Sequence, residues 1–212
     1  MLPVTNRRRV TFLQRQAGFS LLEALIAGVI LAIGILGIVS LLAMSKVSQH
    51  EGVQRVRAVA LADDILERIR RNPSAMVEYD TDLTAPLGMG TKGTTEPSPS
   101  CLTATCTFAE LARHDLWTWE RLLDGVSATV TDTSGNVNPT AAMRNVQACI
   151  EFTADTGKTN TGTVEIVLQW DALQEAVDAV ASSGVRCGTG SDTNLNRRQL
   201  IVSSYVIDET EI

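Results

Sequence analysis

One carboxylate of this chain stands where a carboxylate is unfavourable. Glu23 closes the stretch Gly18-Phe19-Ser20-Leu21-Leu22-Glu23 and heads an uncharged apolar run, Ala24 to Ser45. An ionised acid at the centre of a bilayer costs about 2.5–3.5 kcal/mol, so such an acid needs a partner. Upstream, Met1 to Gly18 carries Arg7, Arg8, Arg9 and Arg15 and no acid, a flank that stays cytoplasmic by the positive-inside rule. The 22-residue run spans about 33 Å as a helix, enough for a hydrocarbon core. A secretory signal peptide has a shorter apolar region with its small-residue cleavage site after it; here the small residue, Gly18, comes before. A cut after Gly18 removes the arginines, keeps the apolar helix and frees an α-amine on Phe19. That amine lies about one helical turn from Glu23 and is a partner for it. The plainer alternative is an acid snorkelling at the end of an ordinary signal anchor.

With its long apolar helix, this hexapeptide resembles the class III signal of type IV prepilins and pseudopilins. The resemblance implies that a prepilin peptidase cuts between Gly18 and Phe19 on the cytoplasmic side and N-methylates Phe19. It implies that Glu23, at the fifth mature position, neutralises the terminal amine of a neighbouring subunit during assembly. The expected organisation is a leader, 1–18; a transmembrane and filament-core helix, 19–45; and a periplasmic globular domain, 46–212. The expected location is the inner membrane, spanned once, and then the pilus at the cell surface.

Other chemistry is poorly represented. The chain holds 18 basic and 24 acidic residues. Without the four leader arginines the balance is 14 against 24, a net of −10, which argues against a nucleic-acid partner. Arg197-Arg198 is a lone basic pair and reads as a solvated turn. Cys101, Cys106, Cys149 and Cys187 all follow the apolar run, and an even number in a translocated domain suggests two disulfides. Three connectivities are open; the local one, Cys101–Cys106 with Cys149–Cys187, is preferred. The spacings lack the paired pattern of a zinc site, and His50 and His114 fall elsewhere, so no metal or other cofactor is expected. His114, Asp115 and Glu120 lie on one predicted helix without a nucleophile, and read as a solvated face. No catalytic constellation is in register, and the chain is not expected to be an enzyme.

The elements follow from periodicity. One helix is predicted from Phe19 to about Arg71, with Ala58, Leu61, Ala62, Ile65 and Ile69 as an apolar stripe and Asn72-Pro73 as its stop. Gly28, Gly34 and Gly37 inside the apolar part suit close packing between helices. Ser74 to Ser100 reads as a long connecting loop. Thr107 to Glu110 is a capping box opening a helix with Phe108, Leu111, Ala112, Trp119, Leu122 and Leu123 on its apolar face and Gly125 beyond its end. Strands are predicted at Val126–Val130, Asn145–Phe152, Thr163–Trp170 and Leu200–Ile207, with a hairpin turn at Asp155–Gly162. Asp171 is expected to cap a short helix carrying Leu173, Ala176, Val177 and Val180. The fold class is α+β: a type IV pilin-like long helix packed on an antiparallel sheet, with an additional helix before the sheet.

Two interior stretches, Ala109–Trp119 and Val164–Trp170, resemble PilV-type minor pilins, as does the region from Cys187 to Val206. Trp119 and Trp170 read as core anchors. The implied role is a minor pilin that helps initiate pilus assembly or modifies the pilus. Its expected partners are the prepilin peptidase, other minor and major pilins, the assembly platform and the membrane. A type II secretion pseudopilin shares the leader, and an adhesin module on a pilin anchor is the reading from a different class.

Overall fold

A computed structural model describes residues 18–126, 129–139, 143–175, 186–188 and 194–212. The chain divides into two compact units, Met1–Lys46 and Val47–Ile212. Its first element, helix α1, is Leu21–Arg71. Ser20 starts it: the serine Oγ accepts the Glu23 N–H at 3.2 Å. Asn72 ends it with a non-helical backbone, φ −135° and ψ 54°, as expected of a residue that precedes proline. In the first unit every described residue, Gly18 to Lys46, is exposed.

The second unit is the α+β domain. Its stretch of α1 buries Gln54, Ala58, Ala62, Ile65, Leu66 and Ile69, a helical stripe as predicted. A 3₁₀ turn, Pro73–Ala75, leads into a four-residue helix α2, Met76–Tyr79, whose Met76 and Tyr79 are buried. The predicted connecting loop is thus helical at its start, because two large apolar side chains find the core there. It is also tied to the sheet further on. Leu87 exchanges backbone hydrogen bonds with Ala148 at 2.8 and 3.0 Å, and the Thr81 N–H donates to the Ile150 carbonyl at 2.9 Å.

Helix α3, Phe108–Leu123, opens on the predicted capping box. Glu110 accepts the Thr107 N–H at 2.8 Å, and Thr107 Oγ1 accepts the Glu110 N–H at 3.3 Å. Gly125, with φ +69°, closes it; the Gly125 and Val126 amides return to Leu122 and Arg121 at 3.1 and 3.0 Å, the pattern of a left-handed helix cap. Phe108 departs from the prediction and is 65% exposed, since the first helical residue points off the end of the stripe. The Thr107 backbone N–H and then its hydroxyl hold the Glu110 carboxyl below its ordinary range. Its contribution to stability is therefore complete above the unfolded value, about 4.3, and lost as pH falls through the lower folded one. Glu110→Gln is expected to flatten that acid limb in pH-dependent thermal unfolding and to leave the profile above pH 6 parallel to the parent.

Strands β1, Thr129–Thr131, and β2, Val137–Pro139, pair antiparallel as a small ribbon. The predicted strand at Val126–Val130 begins later, and β2 was missed because three residues are too few to show alternation. The main sheet has strands β3, Gln147–Ala154, β4, Gly162–Asp171, and β5, Arg197–Val206, in the order β3-β4-β5, all antiparallel. Asp155 to Thr161 forms the predicted hairpin turn. Ala148, Ile150, Val164, Ile166, Leu168 and Trp170 face the core beneath α1 and α3, each at most 4% exposed. Each large side chain fully buried there contributes about 1.5–3 kcal/mol. Trp119 is the largest of them; its indole N–H donates to the Leu61 carbonyl at 2.8 Å. On the opposite face of the sheet Cys149, Val167 and Cys187 make a second, smaller cluster. Strand β4 is therefore buried on both faces toward its end, where simple alternation predicted one.

Asp171 does not open a helix. It ends β4, and Ala172–Glu175 is not helical; the rest of the predicted helix, 176–180, lies outside the described residues. Its carboxylate takes the Arg197 guanidinium at 3.2 Å and the Asn145 and Asn194 amides at 2.6 and 3.0 Å. Arg197, read as part of a solvated turn, is 9% exposed and lies in β5. It also donates to the Asn145 carbonyl at 2.9 Å and to Gln147 Oε1. The burial is tolerated because the ion pair and its amide neighbours satisfy both charges.

Candidate functional site

Gly18, Phe19 and Ser20 lead directly into α1, with Glu23 in its first turn. Ser20-Leu21-Leu22-Glu23 has the spacing of a capping box, a signal the sequence analysis passed over by reading Glu23 only as an acid in a membrane. The serine half of the box is made, and the Ala24 amide bonds the Ser20 carbonyl at 3.2 Å. A negative side chain there also suits the positive end of the helix macrodipole. Beyond it lies an unbroken apolar surface: Phe19 is 85% exposed, and an 18-residue window of α1 has mean hydropathy 2.9 with none of it buried. Soluble monomers rarely expose contiguous apolar patches above a few hundred Å². The helix is long and apolar enough to cross a membrane. A methyl group added at Gly28, Gly34 or Gly37 would meet nothing within 4 Å, so these positions leave shallow notches on the helix.

In the domain, the three polar residues of α3 expected on a solvated face are all buried. His114, Asp115 and Glu120 are 7%, 8% and 1% exposed. They hold other segments in place. Asp115 accepts from Arg68 of α1 at 2.9 Å and from the Tyr79 hydroxyl of α2 at 2.6 Å. Arg68 reaches Asp64 as well, at 2.9 Å. Burial first, and then the bond to Asp115, push the Tyr79 hydroxyl well above its ordinary pKa, so it stays a donor. Glu120 accepts the Gly88 and Lys92 amides at 2.9 and 2.5 Å, and Asp124, just past the helix, accepts those of Met89 and Gly90 at 2.7 and 3.0 Å. His114 pairs with Glu96 at 3.1 Å; the Ser100 hydroxyl and then His114 lower the Glu96 pKa. Every one of these contacts joins two parts of the scaffold, so the arrangement positions α3 and the following loop and holds no open catalytic geometry.

Residues 41–117 match the Tt1218-like family model, described as type IV pilin Tt1218. The match supports a type IV pilin. It runs from the end of the apolar run through α1 and into α3, and it carries no specific support for the PilV-type branch. Neither the curated proteins nor the solved structures compared with the chain yield a match.

The four cysteines of this pilin-like domain form two disulfides, Cys101–Cys106 and Cys149–Cys187. The first closes a loop just before the α3 cap; the second clamps the segment at Cys187 over β3 and β4, where the Gln169 amide, oriented with its nitrogen toward the Cys187 carbonyl, meets both backbone groups of Cys187 at 3.2 Å. Sequence separations of 5 and 38 give the two bonds unequal weight. Closing the longer loop removes chain entropy worth about 4 kcal/mol and the shorter about 2. Cys149→Ser/Cys187→Ser is expected to lower the denaturation midpoint by about twice as much as Cys101→Ser/Cys106→Ser in parallel denaturant titrations; equal shifts would contradict this ranking.

Proposed function

We propose that the chain is a minor pilin, processed between Gly18 and Phe19 by a prepilin peptidase and carried into a type IV pilus, where it helps to initiate assembly. Residues 1–18 are the leader, 19–45 the membrane and filament-core helix, and 46–212 the periplasmic domain. One observation carries the reading: the Gly-Phe and Glu23 motif stands in register with the start of an apolar helix whose surface is exposed from end to end. The match of residues 41–117 to a type IV pilin family supports it from a different part of the chain.

The mechanism follows from the charges. Cleavage removes four arginines and creates an amine at Phe19. In the membrane each subunit holds its apolar helix in lipid. On assembly the helix joins a bundle of other pilins on the inner-membrane platform, and Glu23 of one subunit accepts the terminal amine of its neighbour. The pair fixes axial register, because an isolated charge in that apolar bundle is strongly unfavourable. Mass spectrometry of the mature N-terminus tests the first step. The expected species begins with N-methylated Phe19; a chain that keeps Met1 in cells with an active peptidase overturns the reading.

A further inference from the structure

A polar groove of about 410 Å³ lies within the second unit. Its walls include His50, Glu51, Gln54 and Arg55 of α1, Trp170 of β4 and Arg198 of β5. Two of the wall acceptors are unmet. Gln54 is 4% exposed, yet its Oε1 has no hydrogen-bond partner, and the buried Glu51 Oε1 has none either. The Gln54 nitrogen is already 3.0 Å from His50 Nε2. The Arg198 guanidinium stands 3.9 Å from Glu51 Oε1, beyond hydrogen-bond reach, and spends its nearer donor on the Gln174 carbonyl at 2.9 Å. Buried acceptors are satisfied in the great majority of native structures, and an unmet one calls for a donor. The same groove carries the exposed guanidinium of Arg55 beside that of Arg198, a setting for an anion, and guanidinium is matched to phosphate.

Two acceptors wanting N–H donors beside two guanidinium groups define a ligand with a primary ammonium and an anionic group a few atoms apart. Ser48, which also lines the groove, follows Ser45, the end of the uncharged run, by three residues. On the reading of that run as a membrane anchor, lipid headgroups are the concentrated source of such a molecule. We propose that this groove binds an ammonium–phosphate zwitterion, the headgroup of an ethanolamine phospholipid, with the ammonium donating to Glu51 and Gln54 and the phosphate accepting from Arg55.

Native mass spectrometry of the full chain in detergent tests this with ethanolamine, choline and glycerol phospholipids of identical acyl chains. Choline keeps the phosphate and the positive charge but has no N–H, and glycerol lacks the cation. The ethanolamine lipid is expected to be retained about tenfold better than either. Glu51→Ala/Arg55→Ala is expected to bring it to the choline level at an unchanged unfolding temperature. Equal retention of the three lipids overturns the proposal, as does undiminished ethanolamine selectivity in the double variant. On the unaltered chain, soluble phosphoethanolamine should displace the lipid and phosphocholine should not; displacement by neither also overturns it. Phosphoethanolamine binding as tightly as the lipid would overturn the lipid source and leave the free zwitterion as the ligand. A chain found in the membrane without headgroup preference sinks this proposal alone, whereas a chain absent from the membrane fraction sinks the anchor reading.

Discussion

Glu23→Ala is expected to be lost from sheared pili while its level in the inner membrane stays that of the parent. The substitution removes an acceptor that the assembled state needs and the membrane state does not. In lipid, deleting an intramembrane carboxylate relieves an unfavourable group. In a bundle, it leaves the neighbouring Phe19 amine buried and unpaired, which costs about 3–5 kcal/mol, or more than a hundredfold in incorporation. Helix formation is not the confounding factor. The cap at Ser20 uses the backbone N–H of residue 23, which alanine keeps. Immunoblots of sheared filaments and of membranes from the same cells measure both quantities. Normal recovery of Glu23→Ala in filaments would sink the amine pairing.

The largest expected effect on the domain itself belongs to Asp115. Asp115→Ala takes away the carboxylate that both Arg68 and Tyr79 address. Side-chain exposure is 16% at Arg68 and 11% at Asp115, so solvent replaces little of what is lost. Arg68 keeps Asp64, but the Tyr79 hydroxyl is left as a buried donor without an acceptor of comparable strength. The loss should fall at about 3–5 kcal/mol, a drop of roughly 10 °C in unfolding temperature for a domain of this size. Asp115→Asn, which keeps an oxygen for Tyr79 and gives up the charge, should cost less than half as much. A fall of under 2 °C for Asp115→Ala would show that α3 is held by its apolar face alone.

That network also marks where sequence reading stopped. The stripe on α1 and the three long strands were legible because burial repeats at 3.6 and 2 residues, and nothing beyond the segment itself is needed to see it. The capping box of α3 and the stop at Asn72-Pro73 were legible for the same reason. Asp115 and Glu120 were not: within their own helix they are charges beside charges, and that pattern reads as a wet face. Their partners, Arg68, Tyr79, Gly88 and Lys92, lie 28 to 47 positions away. Arg197 misled in the same way, its carboxylate being 26 positions distant at Asp171. Second-face burial on β4 depends on the Cys149–Cys187 bond, a non-local constraint. At the chain's other end the limit is different. Gly18, Phe19 and Glu23 carry a chemical meaning in their order alone, and that meaning concerns a peptidase and a neighbouring subunit.

The grip of Glu120 and Asp124 on the loop after β3's edge-bound segment has a consequence for variation. Both carboxylates hold main-chain amides, at Gly88, Met89, Gly90 and Lys92, and no side chain of the loop is needed for that hold. The backbone demand falls on the glycines: Gly88 has φ +109°, and a Cβ there would sit 2.5 Å from the Val146 carbonyl oxygen. Met89 and Lys92 are exposed, so residue 92 is open to any side chain, and residue 89 to any that accepts a positive φ. A lineage can therefore redraw the chemical face this loop shows to antibodies or surfaces while the helix beneath keeps the same grip.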